Sequence, residues 1–77
     1  MRAIYTIAEL TRMAGLVDKR GRLETRRLAK TLVAEKVPVH LRGTGRVREV
    51  YATDLMRLVP DLWEAIQVAG RENAEGD

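Results

Sequence analysis

The sequence predicts a small α+β domain that is mostly helical, with its elements in the order helix, helix, β-hairpin, helix, helix. Apolar residues recur at helical spacing in four segments. Between the second and third of these, apolar and polar residues alternate around a Gly-Thr-Gly turn, and glycines and prolines mark the boundaries. The 77 residues suffice for one hydrophobic core, and we assign the domain to residues 1–70.

The first predicted helix begins after Thr6 and ends at Gly15. Thr6 and Glu9 have the spacing of a capping box, in which a hydroxyl and a carboxylate each accept a hydrogen bond from a backbone N–H. Gly15 suits the left-handed residue that often terminates a helix. The apolar residues fall on one arc at helical spacing: Ile7, Leu10, Met13 and Ala14.

A polar connector centred on residues 18–21 leads to the second predicted helix. We expect this helix to begin with Glu24 or Thr25 as its cap. It should run to about Lys36, because Pro38 disfavours helical geometry at the residue before it. The side predicted to be buried carries Leu28, Ala29, Leu32 and Val33. The opposite side carries Arg26, Arg27, Lys30, Thr31 and Ala34.

The hairpin is predicted over residues 39–51, with Gly43-Thr44-Gly45 as a three-residue loop. This register places the apolar residues on one face: Val39, Leu41, Val47 and Tyr51. The other face then carries His40 and the cations Arg42, Arg46 and Arg48. A two-residue loop at Thr44-Gly45 would mix the two sets, so the segregation of charge favours the longer loop.

Two helices complete the predicted domain. Thr53 should cap a short helix from Asp54 to Val59, and Pro60 suits the first turn of the final helix, which Gly70 should end. The apolar side of the final helix is predicted to consist of Leu62, Trp63, Ala65, Ile66 and Ala69. Residues 71–77 offer nothing to bury, and we expect a disordered acidic tail there.

The residue inventory argues against an enzyme. The chain has no Cys and no Ser, so it lacks thiol and serine nucleophiles as well as disulfides, and its one His leaves no plausible zinc site. We expect no catalytic residue, no metal and no cofactor. No apolar run approaches the roughly 20 residues of a membrane helix, and no signal peptide is evident. We therefore expect a cytoplasmic protein without membrane contact.

Charge is divided unevenly along the chain. Residues 12–48 contain eleven cations and three acids, whereas residues 49–77 contain two cations and seven acids, for a net charge of +3. Such an asymmetry indicates a polyanionic partner for the basic half.

The order of the predicted elements is that of a winged helix-turn-helix. The residues also carry a resemblance. Residues 5–16, YTIAELTRMAGL, resemble the opening of the MerR and excisionase-like DNA-binding domains, and residues 22–55 are similar to the second helix and wing of that family. The resemblance covers about residues 4–66. The connector is longer than the family's tight turn, and the paired aromatics of true MerR proteins are absent. The chain is therefore more similar to small excisionase-like proteins.

The resemblance implies that the second helix enters the major groove of DNA while the hairpin, as the wing, holds the backbone. Carried over residue by residue, the recognition helix provides Thr25, Arg26, Arg27, Lys30 and Thr31. The wing provides Arg42, Thr44, Arg46 and Arg48. The connector adds Lys19, Arg20 and Arg22, either as phosphate contacts or as an ordinary polar loop.

The sequence thus predicts a nucleoid-associated protein that binds double-stranded DNA, as a transcriptional regulator or as an excisionase-type architectural factor. Three alternatives stay open. The hairpin's cations could simply keep an edge strand soluble. The chain could be an antitoxin-like or phage-type adaptor that binds another protein or a second copy through the Trp63 helix. It could also bind RNA, although Tyr5, Tyr51 and Trp63 all fall at predicted core positions rather than at exposed stacking positions.

Overall fold

The computed structural model describes residues 2–75, and side chains through residue 72. Within this range four helices accompany a three-stranded antiparallel sheet, which confirms the predicted α+β class. The elements in chain order are β1 (Ile4–Thr6), α1 (Ile7–Ala14), α2 (Thr25–Ala34), β2 (His40–Arg42), β3 (Val47–Tyr51), α3 (Ala52–Leu58) and α4 (Pro60–Glu75).

Helix α1 begins and ends as predicted. The Thr6 hydroxyl accepts a hydrogen bond from the N–H of Glu9 at 3.0 Å, and the Glu9 carboxylate accepts one from the N–H of Thr6 at 3.1 Å. At the other end Gly15 has a φ of 70°, and its N–H donates to the carbonyl of Arg12. Both ends of α1 are therefore satisfied by local interactions.

Helix α2 ends two residues earlier than predicted. Glu24, one of the two predicted caps, occupies the N-cap position. After Ala34 the chain turns at Lys36, which has a left-handed φ of 61°. The N–H groups of Lys36 and Val37 donate to the carbonyls of Val33 and Leu32, which is the Schellman pattern. The Schellman turn therefore ends the helix at Ala34, before the position at which Pro38 would disrupt it.

Strand β3 is the central strand of the sheet, with β1 and β2 on either side. Strand β1 was not predicted. It pairs antiparallel with β3, with Tyr5 opposite Val50, and the N–H of Ala52 donates to the carbonyl of Ala3. The sheet thus joins the start of the chain to the residues that follow the hairpin.

The predicted register of the hairpin is wrong by one residue. Leu41 lies opposite Arg48 and Arg42 lies opposite Val47, so residues 43–46 form the loop. A shift of one residue exchanges the faces, and Arg48 therefore shares a face with Leu41 and with Val50. Val50 is fully buried. Burial of Val50 fixes which face of β3 points to the core, and the observed pairing places Leu41 and Arg48 on that same face.

The boundaries of the last two helices also differ from the prediction. Helix α3 begins at Ala52 without a side-chain cap, so the predicted Thr53 cap is wrong. Pro60 opens α4 as predicted, but the helix does not end at Gly70. There α4 passes close to α1, since a Cβ at Gly70 would lie 3.5 Å from the Cβ of Met13. Of the predicted tail, residues 71–75 belong to α4, and residues 76 and 77 lie outside the described residues.

The hydrophobic core lies between the helices and one face of the sheet, and α1 is at its centre, in contact with α2, α4 and β3. Trp63 is 3% exposed and packs edge-to-face on Tyr5, with 5.3 Å between the ring centroids. The remaining buried apolar residues are Ile7, Leu10, Leu28, Leu32, Val37, Val50, Ala52, Leu55, Val59 and Ile66. This core fixes the positions of α2 and the hairpin relative to each other.

Candidate nucleic-acid interface

The solvent-facing side of α2 is cationic. Leu28 and Leu32 are buried and anchor the helix on α1 and the rest of the core. Four of the residues predicted for the recognition helix are exposed: Arg26, Arg27, Lys30 and Thr31. The fifth, Thr25, is half-buried, because it precedes Leu28 by three residues and lies on the anchored side of the helix.

The first turn of α2 lacks the usual stabilisation of a helix N-terminus. Glu24 makes no capping hydrogen bond, and the turn contains no acidic residue. Instead it contains Arg26 and Arg27, whose charges oppose the helix dipole. The Arg27 guanidinium lies 3.5 Å from the Glu24 carboxylate, but the Arg27 side chain remains 69% exposed. Both guanidinium groups are thus accessible to a ligand.

Val33 is exposed, contrary to the prediction that it faces the core. It follows Arg26 by seven residues, which is about two helical turns, so the two side chains lie above one another on the same side of α2. The side chain of Val33 is 66% exposed. The arc of α2 that reaches the core is narrower than the apolar pattern indicated, because it is limited to the side of Leu28 and Leu32.

The four residues predicted for the wing are all exposed, but they do not share one face. Arg42 lies 3.6 Å from the carboxylate of Glu49 on the face of the sheet that points away from the core. Arg48 lies on the opposite face, next to α2. Thr44 and Arg46 belong to the loop. The predicted wing thus presents its cations in several directions.

Arg48 connects the hairpin to α2. One groove runs between the two elements and is lined by Arg26, Ala29, Lys30, Val33 and Ala34 of α2 together with Arg48 of β3. A second groove also contains Arg48, with Arg46, Val47, Thr25 and residues 6–8 at the start of α1. Neither set of lining residues includes an acid. The hairpin side of α2 is therefore a positively charged surface with a cleft in it.

The connector between α1 and α2 is an ordered turn. Val17 and Leu23 form a β-bridge, and the Asp18 carboxylate accepts hydrogen bonds from the N–H groups of Arg22 at 2.9 Å and Arg20 at 2.8 Å. These backbone hydrogen bonds, that from Arg22 first, hold the pKa of Asp18 below its ordinary value. The turn exposes Lys19 and Arg20 at its tip.

Negative charge lies on the other flank of α2. Thr31 and Glu35 border a depression that also contains Asp61 at the start of α4. The outer face of α4 continues this character with Asp61, Glu64 and Glu72. The Glu35 side of α2 and the outer face of α4 are therefore acidic, whereas the hairpin side of α2 is cationic.

Two aromatic positions were misjudged from the sequence. Tyr51, predicted to be in the core, is 41% exposed and stacks on His40 with 4.3 Å between the ring centroids. His40, predicted to be simply solvated, is half-buried beneath this ring. The error at Tyr51 follows from the orientation of β3, since a residue adjacent to the buried Val50 points to the outer face of the sheet. The Tyr51 ring then covers His40 on that face.

Comparison of the chain with protein-family models, with curated proteins and with solved structures finds no match. In the part of the chain that the structure describes, no three His, Cys, Asp or Glu side chains are grouped in a way that could hold a metal ion. No helix among residues 2–75 has the length and apolar character needed to cross a membrane.

Proposed function

We propose that the protein binds double-stranded DNA as a small winged helix-turn-helix domain, with α2 as the recognition helix and the β2–β3 hairpin as the wing. One observation carries the proposal: Arg26 and Lys30 of α2 and Arg48 of the hairpin line a single groove that contains no acidic residue. Three cations without a local counter-charge favour a polyanion, and an α-helix has the width that the major groove admits.

The residues of α2 would divide between reading bases and holding phosphates. Arginine and lysine side chains can donate to the O6 and N7 atoms of guanine, which makes Arg26, Arg27 and Lys30 the residues for base contacts. The Thr31 hydroxyl, one turn beyond Arg27, donates to the carbonyl of Arg27 and can also accept a hydrogen bond from a base. Thr25, half-buried at the start of the helix, would contact the backbone rather than a base.

Phosphate contacts would come from both ends of the surface. At one end the wing offers Arg42, Thr44, Arg46 and Arg48. At the other end the ordered connector offers Lys19, Arg20 and Arg22. In this proposal the connector, which is longer than in the proteins that the sequence resembles, holds the backbone where the chain enters α2.

The cellular role that this activity would serve is that of a transcriptional regulator or of an excisionase-type architectural factor in the nucleoid. Both roles need the same DNA-binding domain, and neither requires catalysis or a cofactor.

The rival functions lose support at specific residues. Trp63, on which a protein-interaction module would rely, is 3% exposed and is occupied by its contact with Tyr5. A protein partner or a second copy would have to bind other residues of α4. An RNA-binding function gains one exposed aromatic, Tyr51, but the ring of Tyr51 already stacks on His40. DNA binding is the function that the charged surface supports best.

The proposal is tested by selecting bound sequences from a random duplex pool and then measuring affinity at several salt concentrations. Arg46→Ala should weaken specific and non-specific binding alike and flatten the dependence of log K on log salt by about one unit. Arg27→Ala and Lys30→Ala should weaken specific binding by about 1–3 kcal/mol for each base contact that is lost.

Arg71→Ala, at an exposed position on α4, is the matched control and should have little effect on either quantity. If no duplex is selected, or if Arg27→Ala, Lys30→Ala and Arg46→Ala all bind as the wild type does, the protein is not a DNA-binding protein of this kind.

A further inference from the structure

The groove between α2 and β3 has an unusual combination of linings. Arg26, Lys30 and Arg48 bring three positive charges, while most of the surface inside the groove is apolar, and Ala29, Val33 and Ala34 are the other lining residues. Long cationic side chains lay their aliphatic stems on such surfaces and keep their charged ends in water. The groove is therefore apolar within and cationic at its edges.

None of the six side chains that line the groove can accept a hydrogen bond. Arginine and lysine only donate, and alanine and valine have no polar atom. A ligand in this groove must therefore combine negative charge with C–H surface, and it must not bring a hydroxyl hydrogen that needs an acceptor.

The geometry of B-DNA indicates which part of the duplex would occupy the groove. Neighbouring major and minor grooves are separated by one sugar–phosphate strand. If α2 lies in the major groove and the hairpin holds the adjacent backbone, as in the proposed function on which this inference rests, one strand must pass between the two elements. The space between them is the groove that contains Val33 and Arg48.

We propose that this groove seats a short run of deoxyribose–phosphate units of one DNA strand and that its apolar lining selects deoxyribose over ribose. The phosphates lie at the edge formed by Arg48, and the C–H surface of the sugars packs on Val33 and Ala29. A ribose in the same place would bury its 2′-hydroxyl without an acceptor, and this hydroxyl is the group by which proteins distinguish RNA from DNA.

The exposure of Val33 supports this reading. An exposed helix position that only needs to be soluble is well served by a polar residue, yet α2 has a 66% exposed valine between the charges of Arg26 and Arg48. An acidic peptide with apolar side chains would satisfy the same charges. It would place no sugar in the groove, so the experiment below separates the two occupants.

The experiment uses the full chain and the duplex selected for it, with single ribonucleotides placed at each position of each strand in turn. Affinity should fall about 3- to 10-fold at consecutive positions of one strand, because an unpaired hydroxyl is buried there. A 2′-fluoro nucleotide at the same positions should be tolerated. It favours the sugar pucker of ribose, but it has no hydroxyl hydrogen.

Val33→Thr supplies the missing acceptor with almost no change of shape. It should remove most of the ribose penalty at those positions, measured as the ratio of the variant's own affinities for the all-deoxy and the ribose-containing duplexes. Val68→Thr, at the exposed valine of α4, is the matched control and should leave the penalty as it is in the wild type.

A penalty that Val33→Thr relieves and Val68→Thr does not would support the proposal. An equal loss with ribose and 2′-fluoro sugars would show that pucker alone matters, and it would overturn the proposal. So would tolerance of ribose at every position by a protein that binds its duplex specifically, although the proposed function would then stand. Failure to bind any duplex would remove the proposed function and this inference together.

Discussion

Helices α1 and α2 pack against each other and have similar lengths, 8 and 10 residues, but they are stabilised in different ways. α1 has a complete capping box, an acid in its first turn, a cation in its last turn and a left-handed glycine at its end. α2 has no side-chain cap, no acid in its first turn and no cation in its last turn. The N-terminus of α1 is therefore stabilised by local side chains, whereas the N-terminus of α2 is not.

The difference explains how the first turn of α2 accommodates two cations. Cations in the first turn each cost roughly 0.3–1 kcal/mol against the helix dipole. Burial of Leu28 and Leu32 offsets this cost, because burying a leucine side chain contributes about 1.5–3 kcal/mol. A helix held by tertiary packing can place Arg26 and Arg27 where a helix that relies on its own caps would place acids.

The largest expected effect is the loss of the packing that holds α2. Leu32→Ala should lower the free energy of unfolding by about 2–5 kcal/mol, because Leu32 is fully buried and its truncation leaves a cavity. Val33→Ala, at the exposed neighbouring position, should change it by less than about 0.5 kcal/mol. Urea denaturation measures both. A loss below about 1 kcal/mol for Leu32→Ala would mean that α2 does not depend on the core.

A smaller effect is expected from the caps. Thr6→Ala should cost about 0.5–2 kcal/mol of stability, because it removes one half of the capping box of α1. Glu24→Ala at the corresponding position of α2 should cost less than about 0.5 kcal/mol, because no capping hydrogen bond is lost. Thermal unfolding of the two variants side by side checks the contrast. Equal losses would remove the distinction between the helices.

Reversing a charge in the first turn of α2 should raise the stability of the fold and lower the affinity for a duplex. Arg26→Glu places an acid in the first turn and should stabilise the fold by about 0.3–1 kcal/mol at low ionic strength, while it weakens duplex binding by about tenfold or more. Arg12→Glu, in the last turn of α1, should instead destabilise the fold by a similar amount. If Arg26→Glu lowers stability, the dipole of α2 is not what its arginines oppose.

The smallest effect concerns the connector between the two helices. Like the ends of α1, it is held by hydrogen bonds between residues close in sequence. The folded pKa of Asp18 is below its ordinary value of 3.8, so its contribution to stability is complete above that value and is lost as pH falls through the lowered one. Asp18→Ala should therefore be less stable than the wild type at neutral pH, and the difference should shrink in acid. Thermal unfolding at pH 7 and at about pH 2 measures it. A difference that does not depend on pH would exclude the carboxylate as its cause.

The sequence was sufficient where a structure depends on neighbouring residues. The capping box of Thr6 and Glu9, the left-handed Gly15 and the helix start at Pro60 all involve residues within one turn of each other. Their geometry follows from backbone hydrogen bonds that the rest of the fold does not alter.

The sequence was insufficient where a structure depends on residues that are far apart in the chain. Strand β1 has only three residues, and its pairing partner β3 lies more than forty positions later. The face of β3 that points to the core is decided by the burial of Val50 opposite Tyr5 and among the helices, and no residue of the hairpin alone reveals it. A local rule such as the segregation of charge cannot detect this demand.

The sequence predicted which residues form the candidate site but not how they are placed relative to one another. Helical spacing is enough to place Arg26, Arg27 and Lys30 on the outer side of α2. It does not reveal that Arg48 lines a groove with them or that Arg42 is turned toward Glu49, because both depend on the register. Nor does it reveal the exposure of Val33, which depends on how far the core extends around α2.

The central position of β3 also has a kinetic consequence. As the chain leaves the ribosome, α1 and α2 are complete before residues 47–51 have been made, so strand β1 must wait unpaired for its partner. Contacts between positions so far apart in sequence slow folding, and they form late. Arg48 belongs to that same strand, so until β3 pairs with β1 the groove is lined only by the residues of α2. Nascent chains would therefore carry the cationic helix before they acquire the complete surface, which requires β3.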